Sequence, residues 1–157
     1  KETEAVNNQK TTLWSAALDN TEVKKYPDRE LNHYIEFNSD QLDQTAKQYG
    51  VSREDMLKQY DLDDEDEFNA VNEDSSKLRV KQEMLIQYIA DKENLSYTDK
   101  EKEALIKSFE AQGYDADAIE QQTGRTLADY VHIELLYEKV LDFLLDNANI
   151  TGAPTTE

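Results

Sequence analysis

Apolar side chains recur at three- and four-residue intervals along nearly the whole chain, and no run alternates with period two. Such spacing puts them on one side of an α-helix rather than one face of a strand. Val6, Leu13, Trp14, Ala17 and Leu18 predict a first helix over about 2–18. After a turn at 20–26, Leu31, Tyr34, Ile35, Leu42, Ala46 and Tyr49 predict a long helix that opens at Pro27, where a missing N–H is harmless. Ser52 is placed to cap a short helix carrying Met56, Leu57 and Tyr60. The next helix is expected to open in the acidic run 61–67 and to reach Lys92. Its expected buried face is Phe68, Val71, Leu78, Leu85, Ile86 and Ile89. Thr98, Asp99, Lys100 and Glu101 form a capping box ahead of a helix with Leu105 and Phe109. Asp115 opens a short helix around Ile119. A last helix from Thr126 to Asn147 is apolar on most sides, which predicts a central position.

The four glycines and two prolines fall between these segments or beyond them. Gly50, Gly113 and Gly124 fit positions just past helix ends, where a left-handed residue is needed. Gln48-Tyr49-Gly50-Val51-Ser52 followed by Met56 echoes Ala111-Gln112-Gly113-Tyr114-Asp115 followed by Ile119. Each unit reads as helix, glycine stop, short capped helix, long helix, and two such units would build two similar protrusions. The fold class expected is therefore all-α: an elongated multi-helix domain over 1–150 with two helical arms, followed by a flexible polar tail over 151–157.

Charge narrows the partners. Acidic residues outnumber basic ones 35 to 17 in 157 residues, for a net charge of -18, and only 38% of residues are apolar. Nucleic-acid binding depends on Lys and Arg displacing counterions, so this field opposes it. It opposes anionic membrane surfaces as well. It suits a protein that stays soluble while holding sticky surface. No apolar stretch approaches the roughly 18 residues of a membrane span, and no signal-peptide pattern is present. The first residue is Lys1 rather than Met, which suggests a fragment of something longer.

Convergent chemistry is missing from the pattern. The chain has no cysteine, hence no thiolate nucleophile and no Cys-ligated metal. His33 and His132 stand far apart without a metal-ligand spacing, and read as solvated or helix-packed. No nucleophile elbow or glycine-rich phosphate loop occurs. Asp61, Asp63 and Glu65 alternate as in a calcium loop, but Asp66 stands where glycine is required and Asn72 where a bidentate glutamate is required. The acidic run is better read as a negatively charged helix start. The sequons at Asn94 and Asn149 carry no weight outside a secreted eukaryotic protein. No catalytic residue, metal site or cofactor is assigned.

Several segments, taken in order, resemble a known family. Leu13-Trp14 followed by Asn20-Thr21-Glu22-Val23-Lys24-Lys25-Tyr26-Pro27 is similar to the entry of the trigger factor C-terminal domain. Ala46-Lys47-Gln48-Tyr49-Gly50-Val51-Ser52 resembles its arm-tip joint. Val80-Lys81-Gln82-Glu83, the segment 89–95 running into Thr98-Asp99-Lys100-Glu101, and the closing stretch 138–148 resemble its centre and last helix. Similar helical pieces occur in periplasmic chaperone relatives of the SurA type. The resemblance implies a bacterial chaperone domain that binds exposed apolar segments of unfolded or nascent polypeptides, in the cytoplasm. An extracytoplasmic chaperone and a helical module for one specific partner are the alternatives.

Neither a ribosome-docking loop nor a strand-rich isomerase segment is present. This chain is therefore read as no enzyme, although its parent would be an FKBP-type prolyl isomerase, and ribosome contact would need domains outside it. A homodimer is compatible with the reading. Tyr34, Tyr49, Met56, Tyr60, Phe109 and Tyr114 are the candidate peptide-binding residues, set near the expected arms and tips. Each of the six also fits ordinary helix packing.

Overall fold

The computed structural model describes residues 2–148, with side chains from residue 4, and among them it shows seven helices and no strand. The helices are α1 (Glu2–Asp19), α2 (Asp28–Tyr49), α3 (Arg53–Gln59), α4 (Glu65–Glu93), α5 (Asp99–Ala111), α6 (Ala116–Thr123) and α7 (Leu127–Asn147). The expected all-α class is what the chain adopts. The expected tail over 151–157 lies outside the described residues.

Local chemistry sets most of the boundaries. Pro27 precedes α2 in an extended conformation, Ser52 accepts from the Asp55 N–H ahead of α3, and Asp115 accepts from the Ala118 N–H ahead of α6. Thr98 and Glu101 cap each other reciprocally at the start of α5, as their spacing predicts. The acidic run supplies a cap as well. Asp64 accepts from the Glu67 N–H at 3.0 Å, while the Glu67 carboxylate accepts from the Asp63 N–H at 2.7 Å.

One device closes four helices. A residue in the left-handed region follows the last turn, and the N–H of the next residue returns to a carbonyl five positions back. The four returns are Val51 to Ala46 (3.0 Å), Leu62 to Leu57 (3.0 Å), Leu95 to Ala90 (2.8 Å) and Tyr114 to Phe109 (3.0 Å). Val51, Leu62 and Leu95 are apolar and pack against a core beside the helix end, whereas Tyr114 stays exposed. The left-handed positions are Gly50, Asp61, Asn94 and Gly113. Glycine marks two of them in the sequence. Asp61 and Asn94 carry short polar side chains that tolerate the same backbone.

The chain divides into two compact units. Unit 1 comprises residues 1–22 and 85–157, of which the described part holds α1, the end of α4, and α5 to α7. Trp14, Leu85, Ile86, Ala90, Leu136 and Val140 form its core, and the Tyr137 ring meets Trp14 edge-on at 5.0 Å. Helix α7 packs against α1, α5 and α6, the central place its all-round apolar surface predicts. Lys10 of α1 pairs with Asp142 of α7, and Lys139 of α7 pairs with Glu101 of α5.

Unit 2 comprises residues 23–84 and holds α2, α3 and most of α4. Leu42, Ala46, Met56 and Leu57 form its apolar core, with Val51, Leu62 and Phe68 packed around them. A buried polar layer sits beside it. Asn38 Nδ2 donates to Asn72 Oδ1 at 2.8 Å, Ser76 Oγ donates to Asn72 Oδ1 at 3.2 Å, and Asn72 Nδ2 donates to the Ile35 carbonyl at 2.9 Å.

This layer corrects the sequence reading of α4. Val71 and Leu78, expected inside, are 53% and 51% exposed, whereas Asn72 and Ser76 are buried. The stripe 71–78–85–89 is continuous on the helix surface, but only Leu85 and Ile89 meet a core. Along its first half α4 turns residues 72, 76 and 80 inward instead.

Candidate functional site

The six candidate residues separate by burial. Tyr34 and Met56 are each 2% exposed. The Tyr34 hydroxyl donates to Glu83 Oε1 at 2.8 Å and its ring lies 4.1 Å beneath the Arg79 guanidinium, so it fastens α2 to α4. Met56 fills the apolar core of unit 2. These two, offered as contact residues from sequence, are interior side chains: a place near an expected arm or tip does not disclose which face of a helix its neighbours will cover.

Tyr49 and Tyr60, by contrast, are 69% and 56% exposed. They bracket α3, Tyr49 as the last residue of α2 and Tyr60 as the C-cap of α3. Val71 and Leu78 add exposed apolar surface within the same unit. In unit 1, Tyr114 is exposed at the joint after α5, and Phe109 is half-buried with its ring 5.6 Å from that of Tyr130. Tyr88, which the sequence reading passed over, is also exposed on α4, with Lys92 one turn on and 5.6 Å from its ring. Its signal was available: it lies off the apolar stripe of its helix. Helix α5 buries none of its side chains fully, although it carries Leu105, Ile106 and Phe109.

Polar groups near these surfaces are engaged in structure. Arg53 spends all its N–H donors at one point. Nε and Nη2 reach Glu65 at 2.7 and 3.2 Å, Nη1 reaches Asp43 at 2.8 Å and the Ser39 carbonyl at 3.2 Å, and Nη2 also reaches Ser39 Oγ at 3.2 Å. Hydrogen bonding to Glu65 raises its already high pKa; burial opposes this, and hydrogen bonding to Asp43 adds a lesser rise. Glu101 shifts the other way: the Lys139 ammonium, then the Thr98 backbone N–H and hydroxyl, hold its carboxyl down to about 2.

His132 belongs to a chain of bonds in unit 1. Gln87 Nε2 donates to Asp91 at 2.8 Å, which turns Gln87 Oε1 toward His132 Nε2 at 3.3 Å. The other ring nitrogen, Nδ1, lies 2.8 Å from the Tyr97 hydroxyl. An open cavity of about 380 Å3 lies over these groups and Leu136. Among the described residues no group of three or more His, Asp or Glu side chains is placed to hold a metal ion. No helix among them is long and apolar enough to cross a membrane. No buried side-chain polar atom among them lacks a hydrogen-bond partner.

The described residues form an all-helical body with satisfied interior polar groups and with aromatic side chains left exposed at its helix joints. The family described as "Bacterial trigger factor protein (TF) C-terminus" matches residues 1–146. The chain belongs to the bacterial trigger factor family, and that family places it in a chaperone-related role. It is 29% identical over 154 residues to the trigger factor of Staphylococcus saprophyticus, covering 96% of this chain and 34% of the relative. It is 30% identical over 151 residues to that of Bacillus pumilus, covering 94% and 34%. With the Bacillus subtilis trigger factor the figures are 28% over 151 residues, 94% and 34%. The chain spans about a third of the length of these relatives. No solved structure matches it. The described residues contain no strand, so a strand-rich isomerase domain is not among them.

Proposed function

We propose that this chain holds exposed apolar segments of unfolded or nascent polypeptides, reversibly and without turnover. The observation that carries the reading is the exposure of Tyr49 and Tyr60 on either side of α3. Exposed rings at fixed helix ends, next to hydroxyls that stay wet, suit contact with varied sequences. Val71 and Leu78 extend the surface in unit 2, and Tyr114 and Phe109 supply one in unit 1. Met56 belongs to the apolar core on which α3 rests, and Tyr34 fastens α2 to α4.

Magnitudes favour release as well as capture. At about 25 cal/mol per Å2, covering the exposed part of one tyrosine contributes about 2 kcal/mol. Three or four such contacts, set against association costs of several kcal/mol, leave weak and exchangeable binding. The net charge of -18 keeps a loaded complex from associating with others. Scattering of apolar groups over both units fits generic clients better than a single concentrated patch would fit one partner. The cytoplasm is the compartment proposed, and proline-peptide isomerisation is expected to be absent from this chain.

The test is suppression of aggregation of a refolding protein at near-stoichiometric chaperone. Changing Tyr49, Tyr60 and Tyr114 together to serine should weaken holding while the far-ultraviolet circular dichroism stays that of the parent. Undiminished holding by that triple variant would refute the assignment.

A further inference from the structure

Helix α3 is built as a cover. It has seven residues, and its buried side, Met56 and Leu57, rests on Leu42 and Ala46 of α2. Both of its ends are left-handed joints: Gly50 before it (φ 67°) and Asp61 after it (φ 57°). Each joint returns two backbone hydrogen bonds to the helix before it, from the left-handed residue and from the one after it, and the regular helix ends there. A helix this short has little stability of its own, so its place depends on what fastens it down.

The charges nearby do not fasten it evenly. Residues 51–67 contain eight carboxylates and two cations, Arg53 and Lys58. Lys58 pairs with Glu54 on the same helix, at 2.7 Å, and so ties α3 to nothing else. Arg53 alone of the two reaches across. Its planar fork clasps Glu65 at the start of α4 through Nε and Nη2, reaches Asp43 and Ser39 of α2 through Nη1 and Nη2, and lies 5.0 Å over the Phe68 ring. Three helices meet at one side chain, and a bidentate guanidinium–carboxylate pair is the strong form of such a contact.

We infer that Arg53 is the latch of a hinged cover: releasing it lets α3 swing on Gly50 and Asp61 and lays open Met56, Leu57 and Leu42. The movement turns an interior apolar cluster into surface, and two of its members, Met56 and Leu57, lie between the exposed Tyr49 and Tyr60 in sequence. Its use in capture rests on the client-holding reading above. The latch itself does not.

Native-state hydrogen exchange of the whole chain, with no client present, tests the latch. Arg53→Met keeps an unbranched side chain but removes the guanidinium, and with it the five bonds and the contact over Phe68. The Met56 and Tyr60 amides, bonded within α3, should then exchange about tenfold faster or more, with those of α7 unchanged. Glu65→Gln, which leaves Arg53 in place, should give a smaller acceleration in the same amides. Unchanged exchange in α3 overturns the latch. So does equal acceleration throughout α2, α3 and α4, which would make Arg53 a staple of the whole unit. If the cover opens for clients, Arg53→Met should also hold a refolding protein more tightly than the parent chain, and equal holding overturns that role. A parent chain that holds no refolding protein defeats the client reading alone, since exchange in α3 is read without one.

Discussion

Replacing Asn72 with alanine puts the face of α4 to a direct test. Asn72 is 3% exposed and joins α4 to α2 through its amide, which accepts from Asn38 and Ser76 and donates to the Ile35 carbonyl. Alanine removes every one of these bonds and offers none in return. The Ser76 hydroxyl, 1% exposed, keeps only the longer contact with Asn38 at 3.3 Å. Leaving a buried polar group without a partner costs about 1–3 kcal/mol, and the packing lost with the side chain adds to it, so a loss of about 2–4 kcal/mol is expected. In urea denaturation followed by circular dichroism that corresponds to a midpoint lower by about 1 M or more. Leu78→Ser is the control. By sequence pattern Leu78 is a core residue and the change should cost as much as a buried leucine. With half its surface already in water, the structure expects a change within about 0.5 kcal/mol. Should Leu78→Ser prove the damaging change and Asn72→Ala the silent one, the assignment of the inward face is wrong.

Three further outcomes follow from other parts of the fold. Glu101 has its carboxyl held at about 2 against an ordinary 4.5, so its cap and its pair with Lys139 strengthen the fold above about pH 4.5 and are lost as pH falls towards 2; a carbon-detected carboxyl titration reads this, with Lys139→Met moving the midpoint back up, and an ordinary midpoint in the parent chain would contradict it. Gly50→Ala has open space for its Cβ but forces alanine to φ 67°, a cost of roughly 1–2 kcal/mol by thermal or chemical denaturation, and Gly50→Asn should recover part of it. Trp14→Ala empties the centre of unit 1 and should cost about 3–5 kcal/mol, whereas Val6→Ser, on an exposed stretch of the same helix, should leave the unfolding transition where it was.

Helix existence, caps and stops were legible because each depends on residues within one turn of one another. Ser52, Thr98 with Glu101, Asp115 and Thr126 each accept the N–H three residues on, and Gly50, Gly113 and Gly124 take the left-handed backbone. The short polar side chains of Asp61 and Asn94 take that backbone too, and composition gives no comparable mark for them. The repeated order of glycine stop, short capped helix and long helix is present at both places where the pattern indicated it.

Which residues face inward was settled elsewhere. A period of 3.6 tells that a helix has an apolar side; it does not tell that a neighbour will cover that side along its whole length. In α4 the covering is partial, so Leu85 lies in a core while Leu78, one heptad earlier on the same stripe, lies in water. Tyr34 and Met56 show the converse. A hydroxyl matched by Glu83, a ring matched by Arg79 and a thioether matched by Leu42 are drawn inside by partners 14 to 49 residues away. The chain's own order of residues thus fixed where its helices begin and end, since hydrogen bonding over three or four positions is a local matter. Only the folded arrangement decided which aromatics remain on the surface, since burial is a property of two partners and the sequence displays them one at a time.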